Sequence, residues 1–232
     1  MRLPTPRRIS RRVRFLLDSQ RERRQAVGDG PEADRATSYW AGLRDYHQGN
    51  DLNAASLERS EWVSDVVGRL GIASLLEVGT NSGRNLEVVR RSHPNVRLAG
   101  IDVNPHAIAF AKAKGLDIDF RVADANRWEE PPGSWDAILT MSVLDHIPDE
   151  VIETLAANFS ATAAHVIAVE LWDGAHGTRG AYKYSRNTRD LFTGQGFRTL
   201  AWEVAVGQYD TASSPLWAYV GTTGPGLATI VA

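Results

Sequence analysis

The segment Glu77-Val78-Gly79-Thr80-Asn81-Ser82-Gly83 gathers the residue types that a small-molecule site needs. Its two glycines permit positive φ and let the backbone approach a ligand closely. Two kinds of ligand compete for such a loop. A dinucleotide fingerprint needs Gly at 79, 81 and 84, where this chain has Asn81 and Arg84 as departures. A pyrophosphate is drawn to a helix N-terminus, where the nearby Glu77 carboxylate would be unhelpful. A ligand carrying an ammonium group would welcome that carboxylate. The plain alternative is a tight turn with no ligand at all.

The elements that must hold this loop follow from periodicity. Ala73 to Val78 reads as a short buried strand, and Asn85 to Arg91 as a helix stopped by His93-Pro94. Val96 to Val103 is a second strand. Asn104 caps a helix that begins with Pro105 and ends near Gly115. Strands are expected at Asp119–Ala123, Trp135–Ser142, His165–Leu171, Phe197–Val206 and Leu216–Thr222. Helices are expected from Pro148 to Phe159 and from Thr188 to Gly194. Before the first strand, Ser56 to Leu70 carries one apolar stripe and ends at Gly71. Strands alternating with helices imply a doubly wound, mostly parallel sheet, with the last two strands antiparallel.

With the order of elements in place, the resemblance is specific. Leu75 to Gly83 resembles the first motif of class I S-adenosylmethionine-dependent methyltransferases, with Asn81 in place of the middle glycine. Asn tolerates left-handed backbone better than most residues. The likeness continues through Gly100-Ile101-Asp102-Val103-Asn104, Val122-Ala123-Asp124-Ala125 and Trp135 to Leu139, in family order over residues 72–172. It implies a Rossmann-like, seven-stranded sheet with an antiparallel last strand and S-adenosyl-L-methionine as cofactor. It implies that Glu77, Gly79, Asn81 and Gly83 lie beside the methionine part and Met141 near the sulfonium. Asp102, 19 residues past Gly83, ends the second strand, where its carboxylate can accept both ribose hydroxyl protons. Asp124 can accept from the adenine amino group, Ala125 offers an amide to the ring, and Val103 supplies an apolar face. Helix capping is the ordinary alternative for either aspartate. Trp128, near the adenine edge, reads as core or rim.

Methyl transfer needs alignment, exclusion of water and sometimes removal of one proton, so no signature catalytic residue is expected. His146, in the turn after the fourth strand, is the candidate general base, because its unperturbed pKa suits proton removal at neutral pH. A structural or capping role competes, and Asp145 is equally ambiguous. Glu170, ending the fifth strand, is expected to point toward the same mouth. Trp172 to Arg186, with Tyr182 and Tyr184, reads as a loop over the pocket. With Tyr39, Trp40, Tyr46 and His47 it would form an aromatic lid, ordinary packing being the alternative. No Asn-Pro-Pro-Tyr run follows the fourth strand, which argues against nucleobase amino methylation in DNA. No Asp/Glu/His cluster has convincing metal-ligand spacing, so no metal is expected.

Composition bounds the rest. The 232 residues are 43% hydrophobic and 23% charged, with formal net charge −2, as expected for a globular α/β protein. Without cysteine there is no disulfide framework, thiolate metal site or cysteine nucleophile. No apolar run is long enough for a bilayer, and the expectation is a soluble cytoplasmic protein without a secretory signal. Charge is split: residues 1–25 sum to +7 and the remainder to −9. Ile9, Val13, Leu16 and Leu17 recur at helical spacing in that basic arm. Docking on the acidic body, or on a second copy as a homodimer, is one reading of the arm; binding RNA or an anionic membrane is a second, and a frayed or disordered tail a third. Gly28 to Glu32 reads as a hinge, followed by an aromatic segment too polar for a core strand. Residues 1–55 are therefore read as arm and lid, and 56–232 as the methyltransferase domain. The expected acceptor is a hydroxyl or amine of a small molecule in bacterial secondary metabolism. An RNA methyltransferase or a non-catalytic scaffold subunit is the alternative.

Overall fold

The computed structural model describes residues 31–46, 54–180, 182–208 and 215–225. The basic arm, His47 and the polar run up to Asn53 lie outside the described residues. Among those described, seven strands form one sheet: β1 (Ser74–Val78), β2 (Arg97–Asp102), β3 (Asp119–Val122), β4 (Trp135–Met141), β5 (Ala163–Leu171), β8 (Arg198–Val204) and β9 (Leu216–Thr222). The remaining pair, β6 (Gly177–Gly180) and β7 (Lys183–Ser185), makes a separate hairpin. Strand order in the sheet is β3-β2-β1-β4-β5-β9-β8. The first five run parallel, while β9 is antiparallel to both β5 and β8.

Six α-helices are described: α1 (Glu32–Ala41), α2 (Ala54–Leu70), α3 (Arg84–Ser92), α4 (Pro105–Ala113), α5 (Asp149–Thr162) and α6 (Thr188–Gly194). The central strands are apolar on both faces because helices cover both. On one side α2, α3 and α4 bury Val63, Val67, Leu86, Val89 and Ile108 against the sheet. On the other, Phe159 of α5, Phe192 of α6 and Tyr219 of β9 form a ring stack, with centroids 6.2 and 5.5 Å apart. Trp128 belongs to this core, edge-on to Phe159 at 5.9 Å. The Asn104 side chain accepts from the N–H groups of His106 and Ala107, and Pro105 fills the first helical position.

Two segments carry structure that the sequence reading did not assign. The aromatic segment before residue 47 contains a helix, α1, whose start is set by Pro31 in extended conformation and by Glu32 and Asp34 in the first turn. Trp172 to Arg186 contains the β6–β7 hairpin in place of an irregular loop, with Thr178 paired to Tyr184. No described helix is long and apolar enough to cross a membrane.

Candidate functional site

Strand order reverses between β1 and β4, and ligands in open α/β sheets bind over the carboxyl ends at such a reversal. A cleft of about 1120 Å³ of empty space, its open mouth included, occupies that position. Its floor is the loop after β1. The N–H groups of Gly79 and Thr80 both donate to the Ile101 carbonyl, at 2.8 and 2.9 Å, tying the loop to β2. Gly79 has φ +76°, and a Cβ there would lie 2.2 Å from Val143 Cγ2. The loop after β4 therefore closes on the loop after β1 only because residue 79 has no side chain. Asn81 takes φ +50°, and its N–H donates to Asp102 Oδ2 at 2.8 Å.

Asp102 also accepts from the Asn104 N–H through Oδ1 at 2.8 Å. Burial pushes its pKa up, while these two N–H groups pull it down. Each carboxylate oxygen retains accepting capacity, since one N–H uses only part of it. Asp124 Oδ1 accepts from the Asn126 N–H, and Oδ2 from the Thr37 hydroxyl, both at 3.0 Å. Val103, Asp124, Ala125 and Met141 all line the cleft with Gly79, Asn81 and Asp102.

Glu77 and Gly83 do not line it. The Glu77 carboxylate is buried behind the loop, accepting from Thr80 Oγ1 and Asn85 Nδ2, each at 2.6 Å. Burial raises its pKa to about 7 against the pull of those bonds. Gly83 faces the protein interior, where a Cβ would lie 2.6 Å from the Phe120 ring. Both residues support the loop from beneath, outside the cleft lining.

The mouth is shaped by residues from distant parts of the chain. Ala36, Thr37 and Trp40, on one face of α1, line it together with Tyr46 and His146. The Trp40 ring lies 4.2 Å from His146 and 5.6 Å from Tyr46, centroid to centroid. Asn104 Nδ2 fastens the end of α1 by donating to the carbonyls of Trp40 and Leu43, at 3.1 and 2.6 Å. The other expected mouth residues do not line the cleft. Tyr39 packs its ring against Tyr182 at 5.8 Å, and Tyr182 is buried. Tyr184, also buried, donates its hydroxyl to Glu32. Asp145 and Glu170 are buried too. Glu170 Oε2 accepts from the N–H groups of Val143 and Leu144 at 3.0 and 3.1 Å. Burial, then the charge of Asp145, raises the Glu170 pKa to about 8. Of the residues expected at the lid, Tyr39 and Tyr182 pack on each other and Tyr184 is tied to Glu32, while Asp145 and Glu170, expected at the mouth, are buried beside the turn after β4.

Sequence reasoning missed Ser56, Arg59 and Arg84, which line the end of the cleft nearest α2 and α3. Arg59 is buried, and its guanidinium donates to the Gly207 carbonyl and, at 2.8 Å, to Ser56 Oγ. The signal was present: Ser56, Arg59, Ser60 and Ser64 are spaced as one helical face, buried despite being polar. No group of acids and histidines able to hold a metal occurs among the described residues.

Known proteins resemble this chain over its central part. A family described as a methyltransferase domain matches residues 75–165. A ubiquinone biosynthesis O-methyltransferase of Xylella fastidiosa is 32% identical over 124 residues, 51% of this chain and 49% of that protein. The chain thus spans about half the length of the curated relatives it matches. Among solved structures, a SAM-dependent methyltransferase of Leishmania major shares the fold with TM-score 0.67 at 15% identity, covering 86% of this chain and 89% of that one. A 4+2 cyclase, SpnF, shares it with TM-score 0.57 at 17% identity, covering 72% and 81%.

Proposed function

We propose that this chain is a class I S-adenosylmethionine-dependent methyltransferase that methylates an oxygen or nitrogen atom of a small molecule. The observation that carries this reading is the convergence of the Gly79–Asn81 loop, Asp102 and Asp124 on one cleft at the strand-order reversal. S-adenosylmethionine, when bound, supplies a methyl group on a sulfonium and leaves as a neutral thioether. The residues present fit it: Asp102 keeps acceptor capacity for two ribose hydroxyls, and the side-chain-free Gly79 leaves the floor open. Asp124 and Ala125 take the adenine edge and Val103 its face. Arg59 and Arg84 give the α2 end of the cleft the positive charge that a carboxylate needs. Met141 lies at the sulfonium end. The acceptor occupies the mouth, between Trp40, Tyr46 and His146. These rings exclude water and align the acceptor, which are the main demands of a displacement with a good leaving group. His146 removes the proton when the acceptor is a neutral hydroxyl; a free amine needs only positioning.

The test is transfer of isotope-labelled methyl from S-adenosylmethionine to a panel of small hydroxyl and amine compounds. Labelled product is expected from at least one, and S-adenosylhomocysteine binding without turnover of any acceptor would favour a non-catalytic role. The nine arginines of residues 1–25 favour a second reading, an RNA acceptor. That reading requires RNA binding that weakens steeply with salt and is lost when those residues are removed.

A further inference from the structure

We propose that the β6–β7 hairpin positions His146 for proton transfer, the Tyr182 carbonyl fixing its protonated ring nitrogen and Arg186 holding the turn that carries it. The proposal rests on the reading of the cleft given above and names residues outside the cleft that serve it. His146 closes a single 3₁₀ turn, Leu144–His146, and so short a turn leaves most of its backbone groups without internal partners. They find partners elsewhere. Glu170 Oε2 accepts the N–H groups of Val143 and Leu144, with that of Asp145 at 3.4 Å. On the opposite side the buried Arg186 guanidinium donates to the Leu144 carbonyl and, at 2.5 Å, to the Ile147 carbonyl. Its remaining donors reach Asp149 Oδ1 at 2.7 and 3.1 Å, and the Tyr184 ring lies 4.6 Å beneath it. A planar fork spanning two carbonyls and a carboxylate is a task that lysine cannot copy.

The hairpin then acts on the ring itself. Tyr182 takes φ +52°, a backbone conformation rare for a tyrosine, and its carbonyl lies 2.8 Å from His146 Nδ1. A carbonyl only accepts, so Nδ1 carries its hydrogen whether the ring is neutral or charged. Nε2 is left as the nitrogen that gains and loses a proton. Strained backbone that orients a polar group beside a reactive side chain is a pattern of functional sites. Asp145 Oδ1, buried and with no hydrogen-bond donor among the described residues, stands 3.5 Å from Nε2. The Trp40 ring covers the other side. Behind the turn, Glu170, Arg186, Asp149 and His176, the last 3.6 Å from Asp149, complete the titratable and charged neighbours.

Long-range ¹⁵N–¹H correlation spectra of the full chain across the pH range, with S-adenosylhomocysteine added, read the outcome without any acceptor. Neutral His146 is expected to carry hydrogen on Nδ1, with Nε2 bare. Arg186→Gln should shift the ratio of the two neutral forms at least threefold toward Nε2–H, and Arg186→Lys should fall between. A wild-type His146 with hydrogen on Nε2 overturns the proposal even if Arg186→Gln fails to fold, and so does an unchanged ratio in a folded Arg186→Gln. Calorimetry on the same samples separates the underlying reading: a wild-type protein that does not bind S-adenosylhomocysteine removes the site itself, whatever the tautomer.

Discussion

The two ends of the cleft are built differently. The end proposed for the cofactor uses strand termini and the backbone just after them: Gly79 and Asn81 lie just past β1, Asp102 ends β2 and Asp124 lies just past β3. Each aspartate there has one donor close in sequence, the N–H of Asn104 or Asn126 two residues on, with Asn81 and Thr37 adding the second. The end proposed for the acceptor draws on α1, on the turn after β4 and on a hairpin more than 30 residues further on. Its geometry depends on long-range contacts such as Asn104 to Trp40 and Tyr182 to His146. One end is rigid because the sheet makes it so, and the other because many small contacts agree. Perturbation should therefore damage the two ends in different currencies.

The largest effect is expected at the floor. Gly79→Val places a β-branched side chain where φ is positive and Val143 is already in the way. Backbone strain and overpacking together should cost roughly 2–6 kcal/mol of stability. Thermal unfolding and calorimetry should show a weakened protein that no longer binds S-adenosylhomocysteine. Wild-type melting and affinity would mean that the two loops do not meet there. At the mouth, His146→Ala should lower turnover about 100-fold or more on a hydroxyl acceptor while leaving cofactor affinity nearly intact. A loss of under ~10-fold would assign His146 to positioning alone.

Between the ends lies the Thr37 hydroxyl, which joins α1 to Asp124 and Asn126. Thr37→Val should cost about 0.5–1.5 kcal/mol in stability, the range for one hydrogen bond, without abolishing turnover. An unchanged melting temperature would show that α1 is held by its other contacts. A further effect is a pH dependence. Folded Glu170 titrates at about 8 against an ordinary 4.5, so the folded state holds a proton that the unfolded state has lost between those values. Stability from this group is complete below the ordinary value and declines as pH rises toward 8. Glu170→Gln should flatten that decline in denaturant titrations over about pH 5–8, and an equally steep decline would place its origin at Glu77 or elsewhere.

The same contrast explains what could be read in advance. Alternating strands, the Asn104-Pro105 cap and the aspartates at strand ends are local signals, and each falls where its own few residues put it. Glu170 ends β5 as expected, yet its carboxylate turns to the backbone of the β4 turn, a contact across 26 or 27 residues that no periodicity encodes. Tyr182 and Tyr184 looked like lid residues because aromatics among glycines suggest an exposed loop; pairing in a hairpin and burial against α1 removed them. The α1 helix was marked by Pro31 and two early acids, a signal outweighed by the glycines before it. Arg59 is not legible from periodicity, because the apolar stripe of α2 carries the helical pattern while its polar face reaches the cleft.

The central claim, that this cleft holds the nucleoside of S-adenosylmethionine through Asp102, is tested most directly by calorimetric titration of S-adenosylhomocysteine into wild type and Asp102→Ala. Removing the shared acceptor of two hydroxyls should weaken binding by roughly 1.5–3 kcal/mol, about 10- to 150-fold, the range for hydrogen bonds to a charged group. Equal affinity in the two folded proteins would contradict the assignment.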